Sequence, residues 1–106
     1  MDRTTAVPTS RHNVAVDFGV IKLAGTLHHD DAQRTLVLLT DEGPERISVN
    51  LEAYGLVAGP GRVFVKDWSE HAGLAERLQE AGLVRTVRSV AVGPFACTAH
   101  EVEVTL

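Results

Sequence analysis

With 106 residues, 44% of them hydrophobic and 23% charged, the chain has the size and balance of one globular domain, which excludes a wholly disordered polymer. Its net charge of −4 argues against a general positive field, so direct nucleic-acid binding is not expected. No run approaches the roughly 20 apolar residues of a membrane helix, and the single cysteine, Cys97, leaves no internal disulfide to form.

Met1 to Pro8 has no apolar block after Arg3, so no secretory signal is expected and a cytoplasmic location is the default. Residues 1–12, with Thr, Ser, Pro, Arg and His and no apolar period, read as a flexible N-terminal arm, leaving 13–106 as a single domain. From Val14 the pattern becomes that of a half-buried strand: Val14, Val16, Phe18 and Val20 alternate with Ala15, Asp17 and Gly19. The alternation slips by one beside Gly19 and continues on Ile21, Leu23, Gly25 and Leu27, which predicts a β-bulge or sharp bend there.

His28-His29-Asp30-Asp31 falls between two apolar runs and reads as a hairpin tip. Thr35 to Thr40 is apolar without alternation, as expected of a central strand buried on both faces, and Asp41-Glu42-Gly43-Pro44 is then a turn. Ile47, Val49 and Leu51 alternate with polar residues and predict a further strand with one wet face, while Val63-Phe64-Val65 predicts a short one. Asp67 is placed to cap a helix, with Glu70 reaching back as in a capping box; His71, Leu74, Ala75, Leu78 and Ala81 form its buried stripe, and Gly82 its left-handed stop. Val84 to Val92 reads as a strand, and Val102, Val104 and Leu106 alternate with Glu101, Glu103 and Thr105 in a terminal strand expected to pair inside a sheet. These elements predict an α+β fold, a mostly antiparallel sheet of about five or six strands packed against one short helix.

Ile47-Ser48-Val49-Asn50-Leu51, Phe64-Val65-Lys66-Asp67 and Leu78-Gln79-Glu80-Ala81-Gly82-Leu83-Val84 together resemble a family of short bacterial proteins carried on plasmids, phages and other mobile elements, the domain-of-unknown-function family 4313. The resemblance spans residues 45–95 and brings no established active site. What it implies is context: small mobile-element proteins are often binders that regulate the element or interfere with host defence, as anti-CRISPR inhibitors do.

The chemistry-bearing residues come in incomplete sets. His28, His29, Asp30 and Asp31 are four possible metal ligands, but neighbours in an extended segment point to opposite sides, and a catalytic zinc site needs three protein ligands plus water. Cys97 and His100 make one Cys-x-x-His pair with no second pair, and a Cys97 nucleophile with His71 or His100 as base lacks a visible third group. Gly59-Pro60-Gly61 lacks the Lys-Ser/Thr of a phosphate loop. Arg62, Lys66, Arg85 and Arg88 could gather into a basic spot, although scattered solvated charges are the simpler reading.

The expectation is therefore a non-enzymatic protein-binding module, with no cofactor and no metal, acting on a protein partner such as a host defence complex. Asp67, Trp68, Glu70 and the acidic helix residues Glu76 and Glu80 are the expected partner-binding residues. Two alternatives are a small metal-dependent enzyme using the His28 to Asp31 turn, and a structural subunit or homodimer assembling through β-edges, chiefly those of the long first strand and the C-terminal strand.

Overall fold

A computed structural model describes residues 9–18, 21–68 and 71–106. It is an α+β fold of two antiparallel sheets and one short helix. The first sheet is a meander of β1 (Thr9–Phe18), β2 (Ile21–Asp30), β3 (Thr35–Thr40) and β4 (Gly43–Arg46), in that spatial order. The second contains β5 (Arg62–Lys66), β6 (Val84–Val92) and β7 (Cys97–Val104) in the order β5-β7-β6, and α1 (Leu74–Glu80) lies between β5 and β6 in the chain. No described helix is long and apolar enough to cross a membrane.

The expected long first strand is two strands folded on each other, with Phe18 opposite Ile21 and Val16 opposite Leu23. Gly19 and Val20, where a bulge or bend was expected, lie outside the described residues, as do residues 1–8 of the expected arm. Thr9 to His12, assigned to that arm from the sequence, instead belong to β1, paired along β2. A register shift between Arg11 and Val14, with Asn13 at a left-handed φ of 59°, interrupts this outer strand.

His28, His29 and Asp30 are not in the hairpin tip. They pair with Val37, Leu36 and Thr35, and the turn falls on residues 31–34. β3 is central by pairing but not buried on both faces: Leu36 and Leu38 are covered, whereas Leu39 is 49% exposed. The expected strand on Ile47, Val49 and Leu51 does not form. The chain there crosses between sheets, with the Ile47 and Ser48 amides both donating to the Leu36 carbonyl at 2.9 and 3.1 Å and the Val49 amide donating to Phe64 at 2.8 Å. Ile47 and Leu51 are buried as their apolarity requires, but they enter two different cores.

The main core gathers apolar side chains from both sheets and the helix, among them Val16, Leu27, Leu36, Leu38, Val63, Val65, Leu74, Leu78 and Val102. A smaller core lies on the other face of the second sheet, where Leu51, Ala58, Phe64, Val92 and Ala99 meet under the residues that follow the crossover. Strand alternation explains both: odd and even positions of β7 point to opposite faces, so Ala99 enters one core and Val102 the other.

α1 begins later than expected. Gly73, at φ 82°, is its N-cap residue, and no side chain caps it; Asp67 is therefore not the N-cap, and its expected partner Glu70 lies outside the described residues. A left-handed residue breaks the helical path, so His71 closes a separate turn by donating to the Trp68 carbonyl at 3.1 Å. Leu74, Ala75 and Leu78 are buried and His71 joins them, but Ala81 is exposed. Gly82 stops the helix as expected, at φ 76°, with its amide donating to Gln79 and the Leu83 amide to Leu78, both at 3.0 Å. This pair of bonds is the Schellman arrangement, and it turns Ala81 outward.

Candidate functional site

The smaller core is incompletely covered. Val49, Leu56, Trp68, Val90 and Cys97 pack on it while remaining only partly buried. Beside it the β6–β7 turn carries Phe95, 86% exposed, and the 3-10 turn Glu52–Tyr54 carries Tyr54, 56% exposed. The two aromatics share a corner, since a Cβ placed on Gly93 would stand 3.8 Å from the Tyr54 hydroxyl, and Gly93 opens the tight turn closed by the Ala96 amide on the Gly93 carbonyl at 3.2 Å. Val57, 66% exposed, follows on the same connecting segment. Aromatic side chains left in water beside an apolar patch are the usual anchors of protein contacts. Of the residues expected to bind a partner, Trp68 belongs to this face; its ring lies under the Lys66 ammonium at 5.8 Å. Tyr54 and Phe95 were not foreseen, although a large aromatic inside a Gly- or Pro-marked turn has no alternating neighbours to bury it.

Asp67 has a different role. One carboxylate oxygen accepts the Gly73 amide at 2.8 Å, and the other accepts Nε2 of His100 at 2.9 Å. With that nitrogen donating, Nδ1 accepts from the Ser89 hydroxyl at 2.7 Å. The His100 hydrogen bond, reinforced by the Gly73 amide, holds the Asp67 carboxyl below its ordinary range against the opposing effect of burial. A hydroxyl, an imidazole and a carboxylate in line recur in nucleophilic enzymes. Here, however, Ser89 and His100 are opposite rungs of the β6–β7 ladder, so register alone brings them together. With both Asp67 oxygens committed, the chain acts as a pin joining β6, β7 and the segment before α1.

Of the four basic residues that could have gathered into a spot, Arg62, Arg85 and Arg88 stand beside carboxylates instead. Arg85 donates to Glu103 at 2.6 Å, and Arg88 donates to Glu101 at 2.5 Å while Arg62 stands 3.6 Å from the same carboxylate. Glu101, placed on a wet face by the sequence pattern, is 3% exposed. Burial pushes its carboxyl up, but the Gly59 amide at 2.9 Å, Arg88 and Arg62 outweigh that effect and leave it below the ordinary value. Glu76 and Glu80 do face water on α1, and Glu80 is tied to Arg77 at 2.9 Å.

The four residues of the His28 to Asp31 segment are committed separately. His28 Nδ1 pairs with the Ser10 hydroxyl at 2.7 Å; His29 is buried on the opposite face; Asp30 accepts the Gln33 amide at 3.2 Å. Asp31 accepts the Gly61 amide at 2.7 Å and pairs with Arg34 at 3.0 Å, which fastens this turn to the loop before β5. Cys97 and His100 are three apart on one strand and so face opposite ways. Among the described residues, no group of three or more His, Cys, Asp or Glu is placed to hold a metal ion.

The C-terminal strand is not an edge, because β7 is central in its sheet. The outer strands β1 and β6 each carry a register shift, between Arg11 and Val14 and between Thr86 and Arg88. β4 is four residues long and contains Pro44, and β5 is partly covered by the bridge from Val49 to Phe64. Bulges, proline, short length and cover all discourage pairing with another chain. No family model, curated protein or solved structure matches this chain.

Proposed function

We propose that this protein is a non-enzymatic protein-binding module whose contact surface is the partly covered smaller core, with Tyr54 and Phe95 as its anchors and Trp68 at its margin. The observation that carries this reading is the exposure of two aromatics at one corner, 56% and 86%. Such a surface gains little from standing in water and gains binding free energy when a partner covers it. The blunted strand edges favour a side-chain surface over strand addition. The resemblance to mobile-element proteins makes a host defence complex the first partner class to test.

The test uses the full chain as bait in host lysate, with quantitative mass spectrometry of what is retained. A specific partner should be held by the unaltered protein and by a Glu76→Lys/Glu80→Lys variant, and lost by Tyr54→Ser/Phe95→Ser with its circular dichroism unchanged. Retention that ignores the aromatic pair, or a protein that holds nothing, would overturn the reading.

A further inference from the structure

A cleft of about 290 Å³ opens where the two sheets meet, lined by Glu45, Arg46, Ser48, Val49, Lys66 and His71. One of its walls, Ser48, is a buried polar group with hydrogen-bonding capacity unspent. Ser48, 4% exposed, accepts the Leu36 amide at 2.9 Å and Nε of Arg46 at 3.3 Å. A serine hydroxyl has one hydrogen and two lone pairs, so both acceptor sites are used and the hydrogen has no acceptor among the described residues. His71, 7% exposed, stands with its Nε2 3.8 Å from Glu45, while its Nδ1 is fully buried, without a partner among the described residues and out of reach of a ligand in the cleft. Buried polar groups are ordinarily satisfied, so the Ser48 hydrogen is a donor open to an acceptor seated in the cleft.

The groups around this space are mainly donors. Arg46 supplies a guanidinium and Ser48 a hydroxyl hydrogen, and the Lys66 ammonium lies at the rim over Trp68. Glu45 is the only carboxylate among the described residues that line it. A ligand complementary to such a set is an acceptor-rich anion, and a guanidinium fork suits phosphate oxygens. The volume exceeds that of a bare phosphate, and Val49 offers an apolar wall beside it. We propose that the cleft binds the phosphate group of a small phosphomonoester, with Arg46 and Ser48 donating to its oxygens and His71 closing one side.

Titration of the full chain with glycerol phosphate, followed by amide NMR at constant ionic strength, tests this. Saturable shifts are expected at Ser48, Val49 and His71. Arg46→Gln, an exposed position whose spectrum reports its own folding, should weaken binding by about tenfold or more, the effect of losing a charge-assisted hydrogen bond. Glu45→Gln should tighten it by removing a like charge, and Arg77→Gln on the exposed helix face should leave it unchanged. Shifts that do not saturate, an affinity indifferent to Arg46, or acetate binding as tightly as the phosphate ester would each overturn the assignment.

Discussion

Nε2 of His100 lies 2.9 Å from one oxygen of Asp67, and the other oxygen of that carboxylate holds the amide of Gly73, the residue from which α1 starts. One side chain thus links the central strand of the second sheet to the start of the helix. Asp67→Ala removes the acceptor for both donors, and the expected cost is about 2 kcal/mol, from a charge-assisted hydrogen bond and an amide left unpaired. Ser89 is exposed, so water can replace its hydroxyl, and Ser89→Ala should cost less than about 0.5 kcal/mol. Urea unfolding of the two variants measures the difference. Equal losses would show that the pin is not anchored on the carboxylate.

Glu101 sets the response to acid together with Asp67. Both carboxyls are held below their ordinary values in the folded protein, so the unfolded chain takes up their protons first as the pH falls. Their contribution is present in full above the unfolded value near pH 4 and is withdrawn as the pH drops through the lower folded values. Glu101→Gln should cost about 2–3 kcal/mol at neutral pH, because Arg88 and Arg62 lose the carboxylate they share. The gap between variant and parent should then narrow below about pH 4. A gap that stays constant on acidification would mean that the pairing of Glu101 contributes no pH-dependent stability.

His29 acts in a different pH range. Burial lowers its pKa, helped by Arg34 and His28 and opposed by Asp31 and Asp30, and its Nε2 has no partner among the described residues. Below about pH 6.5 the unfolded chain binds a proton at this residue that the folded one refuses, so stability falls as the pH drops from there toward the folded value. His29→Leu places an apolar side chain beside Leu36 and removes both the proton and the orphaned nitrogen. The variant should match or exceed the parent at neutral pH and lose part of the slope of melting temperature between about pH 6.5 and pH 5. Identical slopes in the two proteins would rule out His29 as its source.

How far the sequence could be read follows from what each signal measures. Alternation reports burial, and it marked the apolar residues of β1 from Val14, of β2 and of β7 while joining β1 and β2 into one long strand; helical spacing marked Leu74, Ala75 and Leu78 of α1. It cannot report pairing, so Ile47, Val49 and Leu51 look like a strand although the chain there crosses from Leu36 to Phe64. Capping chemistry identified Asp67 as an acceptor near the helix start, but the left-handed Gly73 moved that start and gave Asp67 an amide six residues away. Polarity is not exposure at Glu101, because the Gly59 amide and Arg88 donate to it and the Arg62 charge stands nearby, which makes a buried carboxylate tolerable. The aromatic corner and the cleft depend on residues distant in the chain, and no local pattern encodes their meeting.

Two glycine-to-alanine substitutions separate strain from steric conflict. Gly82 sits at φ 76° with nothing within 4 Å of an added Cβ, so Gly82→Ala meets only the left-handed backbone penalty, about 1 kcal/mol. For a domain of this size that corresponds to a fall of roughly 4–8 °C in Tm. Gly25, at φ 158°, is another matter, because an added Cβ would fall on the carbonyl oxygen of Leu39 in the adjoining strand. That oxygen belongs to the backbone and cannot rotate aside, so β2 and β3 must separate locally. Gly25→Ala should therefore cost about 2–3 kcal/mol, as strained or overpacked sites do. It should also speed hydrogen exchange at the Thr26 to Leu39 end of the pairing, while Gly82→Ala leaves that region protected. Equal losses in the two variants, with no local change in exchange, would remove the close approach of Gly25 to Leu39 as the reason for glycine at that position.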